Sequence, residues 1–582
     1  MKTLTKDEIQ SILQERFAND THKSLVDLPL PSVLKDTQKA AKRIKKAIES
    51  NEQIAVVGDY DVDGIVSCVI MAEFFDELGA DYVVKIPNRF KDGYGLNADI
   101  ANELNASLII TVDNGIGAVE AAELCEQKGI DLIITDHHIP PPTLPKAYAI
   151  INPKQNDDEF PDIEICGAQV AWYLLGALKE ACKIKFDLGK FLDLLAIAIM
   201  ADMMELRDLN RVLVREGIKR INSSKRPAFR AIKQLYQKDK FSLDNISFLI
   251  APLINSAGRM NDANVSFEFL YTRSFEKACK LLGRIVAFNN ERKSEEKRLF
   301  EESLSKVGKD DSAVVVSGAG WHEGVLGIVA SRLARHFGKP AFVFSEFEDK
   351  AKGSARSVGQ IDIIELCETQ KELFLSYGGH KGAGGMLIEL KNLPALKANL
   401  NKICQQIESE KFISNDEVLG ILPLKSVDFE LLEILENFEP FGHKNPRPFF
   451  AFENVRVKSV QPLGKEGRHL KLVLSDESLS AENGANSSTQ GNESVGLENS
   501  TNSGEKNDES LSEKNGKNSS VKNDSRNGAN VLSSQNGGVV ALFFDFDAQI
   551  KEGEVISFIA NVSKNEFGGV ITAQLIIKNL TI

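Results

Sequence analysis

Between residues 54 and 151, short apolar runs recur at intervals filled by helix-compatible sequence. The runs cover 54–57, 83–86, 108–112, 132–135 and 149–151, and helices are expected over 65–79 and 116–128. Strands this apolar are buried on both faces, and their alternation with helices is the pattern of a doubly wound parallel sheet. In such sheets ligands bind beyond the carboxyl ends of the strands. The residues just after each run are therefore where chemistry is to be sought.

Those positions are acidic. Asp59-Tyr60-Asp61-Val62-Asp63-Gly64 follows the first run, Asp113-Asn114-Gly115 the third, and Asp136-His137-His138 the fourth; Asp202 lies inside an otherwise apolar stretch. Carboxylates gathered at one place are costly unless a cation neutralises them. A ligand set dominated by oxygen favours Mg²⁺ or Mn²⁺ over Zn²⁺. Each element alone has a plainer reading: a turn at Asp113-Asn114-Gly115, a surface pair at His137-His138, a helix cap at Asp202. Their convergence on the ends of successive strands favours a metal site. Two ions about 4 Å apart, bridged by a carboxylate, suit in-line phosphoryl hydrolysis. No Ser or Cys motif offers a protein nucleophile.

The rest of the 582 residues points to several further globular units. Residues 1–50 read as polar helices without a signal-peptide core, and no apolar stretch is long enough to span a bilayer. The pattern turns helical from 166 to 300, with buried helices expected over 168–182 and 188–200 and a long exposed helix over 289–306. A second α/β unit follows, with strands over 313–317 and 341–344 and a helix over 324–337. The segments 424–476 and 538–582 hold short strands. Between them, residues 477–536 are rich in Asn, Ser, Gly, Glu and Lys and too poor in apolar side chains to order; they read as an insert in a loop of the β unit.

The seven scattered cysteines form no CxxC pair and indicate a reduced, cytoplasmic protein. A net charge of −13 argues only weakly against nucleic acid, because acids at a metal site are counted without their ions. The Lys- and Arg-rich stretch 215–240, which carries Phe229 and Tyr236, reads either as a phosphate-tracking surface or as a solvated helix face. Phe441, Phe449 and Phe450 read either as base-stacking groups or as core.

The four acidic motifs resemble, in order and spacing, those of the DHH phosphoesterase superfamily and, within it, the bacterial single-strand-specific exonucleases. The likeness continues through Pro87-Asn88-Arg89, Asp92-Gly93-Tyr94-Gly95-Leu96, Ile254-Asn255-Ser256-Ala257-Gly258-Arg259-Met260, the segment 322–332, Gly353-Ser354-Ala355-Arg356-Ser357, Gly378-Gly379-His380 and Pro440-Phe441-Gly442. The fold it implies is a doubly wound DHH domain (51–285) after an N-terminal helical segment (1–50). A connecting helix (286–308), a smaller α/β DHH-associated domain (309–412) and an OB-like β domain (413–582) interrupted by a disordered insert (477–536) follow.

The activity the resemblance implies is 5′-to-3′ exonucleolytic hydrolysis of single-stranded DNA to 5′-phosphorylated mononucleotides or short products, in repair and recombination. Asp59, Asp61, Asp63, Asp113, His137 and Asp202 would hold two Mn²⁺ or Mg²⁺ ions, with Asp113 bridging. Asp136 would orient an imidazole, His138 would contact the scissile phosphate, and Arg259 would bind phosphate near the metals. Arg89, Ser354 and Arg356 would grip the 5′ end, and Gly379 and His380 would line the strand path, where Gly378, Gly379 and Gly385 permit close backbone approach. A helicase and a single-strand-binding protein are the implied partners, and the chain is expected to act as a monomer. Rival readings are a hydrolase of very short oligonucleotides or cyclic dinucleotides, and a replication scaffold with a dead site.

Overall fold

The computed structural model describes residues 1–412, 417–463, 469–476, 538–544, 549–567 and 570–581. The first five strands form one parallel sheet: β1 (Ile54–Val57), β2 (Tyr82–Lys85), β3 (Leu108–Val112), β4 (Asp131–Thr135) and β5 (Ala149–Ile151), in the order β2-β1-β3-β4-β5. β1 and β3 are buried along their whole length because successive residues feed two different cores. Ile54, Val56, Leu108 and Ile110 face the larger core, and Ala55, Val57, Ile109 and Ile134 the smaller one on the opposite face. Each Ile, Leu or Val among them contributes about 1.5–3 kcal/mol by leaving water. That is why the strands read as unbroken apolar runs.

The helices behind the larger core are α1 (Val62–Leu78), α2 (Gly167–Cys182), α3 (Leu192–Ala201) and α4 (Ala251–Met260). α1 and α3 are apolar nearly all round, as helices buried between layers must be. The N-terminal helix Thr37–Glu49 is not a free polar segment: Ala40, Ala41, Ile44 and Ala47 join the same core. Helix α5 (Phe275–Leu304) is 30 residues long and starts well before the expected 289. Its Ser274 cap accepts from the Lys277 N–H at 3.2 Å, and Leu281, Leu282 and Ile285 are buried, so its first half packs as core and only the second half is mainly charged surface.

The second sheet has five strands rather than the two expected from sequence. β6 (Val314–Ala319) and β7 (Ala341–Phe347) run parallel around helix α6 (Leu326–Phe337). β8 (Lys350–Arg356), β9 (Phe374–His380) and β10 (Ala383–Glu389) then extend the sheet antiparallel, in the order β6-β7-β8-β10-β9. These three are rich in Gly, Lys and Ser and lack β-branched runs, so propensity hides them.

By internal packing the chain divides into two units. One is Gln14–Asp416 with Glu439–Pro446, and holds both α/β lobes; the other is Met1–Leu13 with Glu417–Phe438 and Arg447–Ile582. In the second, β11 (Val418–Ile421), β12 (Phe449–Leu463), β13 (His469–Asp476), β14 (Val539–Phe543), β15 (Val555–Phe567) and β16 (Val570–Thr581) form a sheet in the order β11-β12-β13-β14-β16-β15. An additional β12–β15 pairing closes five of them into a barrel, the OB architecture. β13 and β14 pair directly, Leu470 opposite Phe543 through Leu474 opposite Val539, so the 477–536 tract connects two neighbouring strands of one sheet. The tract itself lies outside the described residues. The first residues belong to this unit because the Leu4 N–H donates to the Ile421 carbonyl at 2.9 Å and the Ile421 N–H to Lys2. Among the described residues no helix is long and apolar enough to cross a membrane.

Candidate active site

The first acidic motif is held by the helix it starts. Asp61 caps α1, its Oδ1 accepting from the Asp63 N–H at 2.9 Å and the Gly64 N–H at 3.3 Å. Gly64 is required at its place because a Cβ there would sit 2.5 Å from the backbone N and O of Asp59. Asp63 is buried and accepts from Gly167 N–H at 2.6 Å and Ala168 N–H at 2.9 Å, so the N-terminus of α2 neutralises part of its charge. Asp113 ends β3 with a φ of 62°, a left-handed conformation that Asp tolerates better than most residues. Asn114 fixes that turn: its amide donates to Val57 O at 3.0 Å and Val112 O at 2.9 Å, and its oxygen accepts from Leu96 N–H. Asp202 is the C-cap of α3.

These elements converge. His137 Nε2 lies 3.2 Å from Asp113 Oδ1, 3.6 Å from Asp202 Oδ2 and 3.8 Å from Asp63 Oδ2. Three overlapping groups can each surround a cation: Asp59 with Asp61 and Asp113; Asp63 with His137 and Asp202; and Asp113 with His137 and His138. Asp113 and His137 belong to two groups each. Asp59 Oδ1, Asp113 Oδ1, His137 Nδ1 and Asp202 Oδ2 are buried without a hydrogen-bond partner. Orphaned acceptors at this density are costly, and a divalent ion is the chemistry that satisfies them. Burial, then the neighbouring acids, pushes the Asp59, Asp113 and Asp202 carboxyls well above their usual range. Burial also drives His137 down to about 4, so its imidazole is neutral at physiological pH. The residues present fit a pair of Mn²⁺ or Mg²⁺ ions.

Asp136 stands behind the cluster. Its Oδ1 faces His138 Nδ1 at 2.7 Å and accepts from the His137 N–H at 2.7 Å, while its Oδ2 accepts from the Ile116 N–H at 2.9 Å. Burial alone would lower the His138 pKa; the Asp136 hydrogen bond and charge more than offset it and raise it to about 9. Tyr94 edges the same ring.

The cluster opens on a cavity of about 1230 Å³ between the two α/β lobes. Tyr60, Tyr94, Asp136 and His138 line it from one lobe, and Phe347, Tyr377, Gly378, Gly379 and Gly385 from the other. A Cβ at Gly378 or Gly385 would meet nothing within 4 Å, so both present bare backbone, whereas Gly379 has a φ of 144° and no room for a side chain. His380, at the end of β9, is exposed and is not part of the cavity wall; its Nδ1 accepts from the Gly382 N–H.

Guanidiniums gather beside the cavity. Arg89 stacks on the Tyr60 ring at 4.0 Å, and its buried Nε has no partner. Arg259, at the end of α4, donates to the Gly324 carbonyl at 3.3 Å. Burial, then the charge of Arg89, pushes its pKa down to about 10, with Asp61 opposing and Arg356 adding to the repulsion. Arg356 Nη1 donates to Ser354 Oγ at 3.0 Å, and a Cβ on Gly327 would lie 2.7 Å from the same guanidinium. Arginines whose charges repel in this way suit an anion between them.

Phe229 is core at 1% exposure and Tyr236 is half-buried against the same core, so of the two aromatic rings named in the basic stretch 215–240 neither is fully exposed. Phe441 and Phe450 are likewise buried; only Phe449 is partly open, under the Lys578 ammonium at 5.0 Å. Three supports were missed. Asn255 accepts from the Val62 N–H at 3.1 Å, the Cys166–Ala168 turn holds Asp63, and Lys154, paired with Glu164 at 3.3 Å, adds positive charge near Asp202 and His137. Of these, Cys166-Gly167 precedes an apolar helix and Asn255 lies in the family-like segment 254–260, whereas Lys154 carried no local signal.

Residues 53–199 match the DHH family N-terminal domain, 310–406 the DHHA1 domain and 420–485 the RecJ OB domain. The chain is 35% identical to the Bacillus subtilis single-stranded-DNA-specific exonuclease RecJ over 78% of its own length and 59% of that protein's, less than two thirds. It is 31% identical to the Escherichia coli protein of the same name over 79% and 84%. The crystal structure of RecJ in complex with Mn²⁺ from Thermus thermophilus superposes with a TM-score of 0.77 at 24% identity, covering all of this chain and 79% of that one. Motifs, fold and site geometry agree, and the chain belongs to the RecJ family, whose catalytic lobe is a DHH phosphoesterase domain.

Proposed function

We propose that this chain is a divalent-metal-dependent exodeoxyribonuclease specific for single-stranded DNA. It would work 5′ to 3′, giving 5′-phosphorylated mononucleotides or short products, in repair and recombination. The observation that carries the reading is the set of buried, partnerless ligand atoms on Asp59, Asp113, His137 and Asp202, next to Asp136 and His138, which line a cleft whose opposite wall includes Gly378, Gly379 and Gly385. The relatives support the substrate: the Bacillus subtilis and Escherichia coli proteins are both named single-stranded-DNA-specific exonucleases.

In this reading Asp59, Asp61, Asp63, Asp113, His137 and Asp202 hold two Mn²⁺ or Mg²⁺ ions, with Asp113 and His137 shared between groups. Bound there, the ions supply Lewis-acid stabilisation of the phosphoryl oxygens and lower the pKa of the attacking water. Asp136 keeps His138 protonated and aimed, so the imidazolium donates to the scissile phosphate. Arg259 neutralises charge on the phosphate beside Asp61. Tyr60 holds the Arg89 plane, and Arg89, Ser354 and Arg356 together grip a 5′-phosphate. Water replaces the 3′-oxygen at phosphorus, so each cut leaves a new 5′-phosphate on the shortened strand, again the group this pocket binds. Selectivity for one strand is steric, set by the width between the lobes, with the OB barrel adding a second platform. His380 and Gly379 would contact the strand along the second lobe.

Seven cysteines without a disulfide support a cytoplasmic location. An enzyme restricted to unpaired strands needs them exposed and kept single, so a helicase and a single-strand-binding protein fit as partners of a monomeric enzyme. The test is digestion of 5′- and 3′-end-labelled 60-mers with Mn²⁺, Mg²⁺ or EDTA. Immediate release of the 5′ label as mononucleotide or short product, only with metal and only from unpaired DNA, is expected. Cleavage of di- and trinucleotides alone would overturn it.

A further inference from the structure

Phe90 follows Arg89 in the chain, and its ring is 41% exposed. Its edge meets the His322 ring of the second lobe, with centroids 5.3 Å apart and planes at 80°. Neither ring is held only by the other. The Phe90 N–H donates to Asn88 Oδ1 at 3.0 Å, and Asn88 is fastened in turn to the Asn261 carbonyl at 2.8 Å, just past α4. His322 Nδ1 accepts from the Gly324 N–H at 3.2 Å. Gly324 is pressed against the Arg259 backbone and receives its guanidinium. The aromatic pair therefore bridges the two lobes at the arginine end of the cleft, and neither ring lines the cavity itself. An exposed phenylalanine whose backbone is fixed through Asn88 to Asn261 is a placed surface, not a core residue left outside.

We propose that the Phe90–His322 pair is a barrier between the two lobes, beside the guanidiniums and outside the cavity, that stops a strand from continuing past its own end. A chain then enters by its terminus and does not thread through. The barrier, and not the phosphate pocket alone, confines cutting to ends. This inference rests on the exonuclease reading above. Nothing in it requires the rings to touch the reacting atoms; they act by excluding a continuing strand from the space they fill.

The test uses the full chain with Mn²⁺ and two probes: a circular single strand, which has no end, and a linear 5′-phosphorylated strand of the same sequence. The unsubstituted protein degrades the linear strand and leaves the circle intact; failure on the linear strand sinks the exonuclease reading, independently of the barrier. In Phe90→Ala/His322→Ala the ratio of circular to linear cleavage is expected to rise about tenfold or more. His322→Ala alone, which opens the gap from the other lobe, should shift the ratio the same way. Variants that melt normally and digest linear strands but leave circles intact overturn the proposal. So does normal folding with loss of activity on both probes, which would place the rings in the catalytic machinery. Independently of any variant, wild-type digestion starting from a 5′ end capped by biotin–streptavidin would also overturn it.

Discussion

Replacing Asp113 by Asn should stabilise the metal-free protein while removing its response to metal. Burial and the charges of Asp63, Asp61, Asp59 and Asp202 all hold the Asp113 carboxyl well above its usual range, so ionising it at neutral pH works against the fold. The sign follows from linkage. A carboxyl whose folded pKa exceeds its unfolded value favours the fold at low pH, and that contribution is lost as pH rises through the folded pKa. Without metal, the cluster of Asp59, Asp113 and Asp202 should therefore cost stability as pH rises. Asn keeps the left-handed turn at φ 62° and can donate an N–H to a neighbouring acid. Relief of one such charge is worth about 1–3 kcal/mol, and metal at 100 times its Kd adds about 2.7 kcal/mol to the wild type. At roughly 2–4 °C per kcal/mol, the variant should melt several degrees higher in EDTA, and the wild type should gain about 5–10 °C with Mn²⁺. Differential scanning fluorimetry with an EDTA and Mn²⁺ series, at pH 6 and 8, measures both. A variant less stable than wild type in EDTA that keeps the full Mn²⁺ shift would refute the reasoning.

Other outcomes follow from single contacts. Gly64→Ala forces a Cβ to within 2.5 Å of the Asp59 backbone and should cost about 3 kcal/mol or more of stability, read by urea titration, with weakened Mn²⁺ binding by calorimetry. Arg356→Gln removes a charge facing Ser354 and should lower kcat/KM on 5′-phosphorylated strands about 10- to 100-fold and on 5′-hydroxyl strands much less, erasing the preference for phosphate. Burial raises Asp162 to about 6, a carboxyl whose stabilising effect is present below its unfolded value and lost as pH climbs past 6. Asp162→Asn should match the wild type near pH 4 and exceed it by at most about 3 kcal/mol at pH 8, read from denaturant midpoints.

What the sequence made legible was local. The acids of 59–63, Asp113 and Asp136 announce themselves because each follows an apolar run whose type and end are set by neighbours in the chain. The parallel sheet was readable for the same reason. The supports were not: Asn255 reaches Val62 across nearly two hundred residues, and the α2 N-terminus reaches Asp63 across about a hundred, contacts that only packing creates. β8 to β10 escaped because glycines that suit a cleft wall are poor strand formers. The start of α5 escaped because its first half is amphipathic core and the charged second half dominates the composition. Phe229 shows the opposite failure: a basic stretch suggested surface, while the ring points into the core.

The central claim is that chain-distant carboxylates and one imidazole enclose paired divalent cations beneath the cleft. Anomalous diffraction at the manganese edge from crystals grown with Mn²⁺ tests it without any assay of activity. Two peaks about 4 Å apart within reach of Asp59, Asp63, Asp113, His137 and Asp202 are expected. A single peak, or manganese bound elsewhere with these side chains unliganded, would contradict the account.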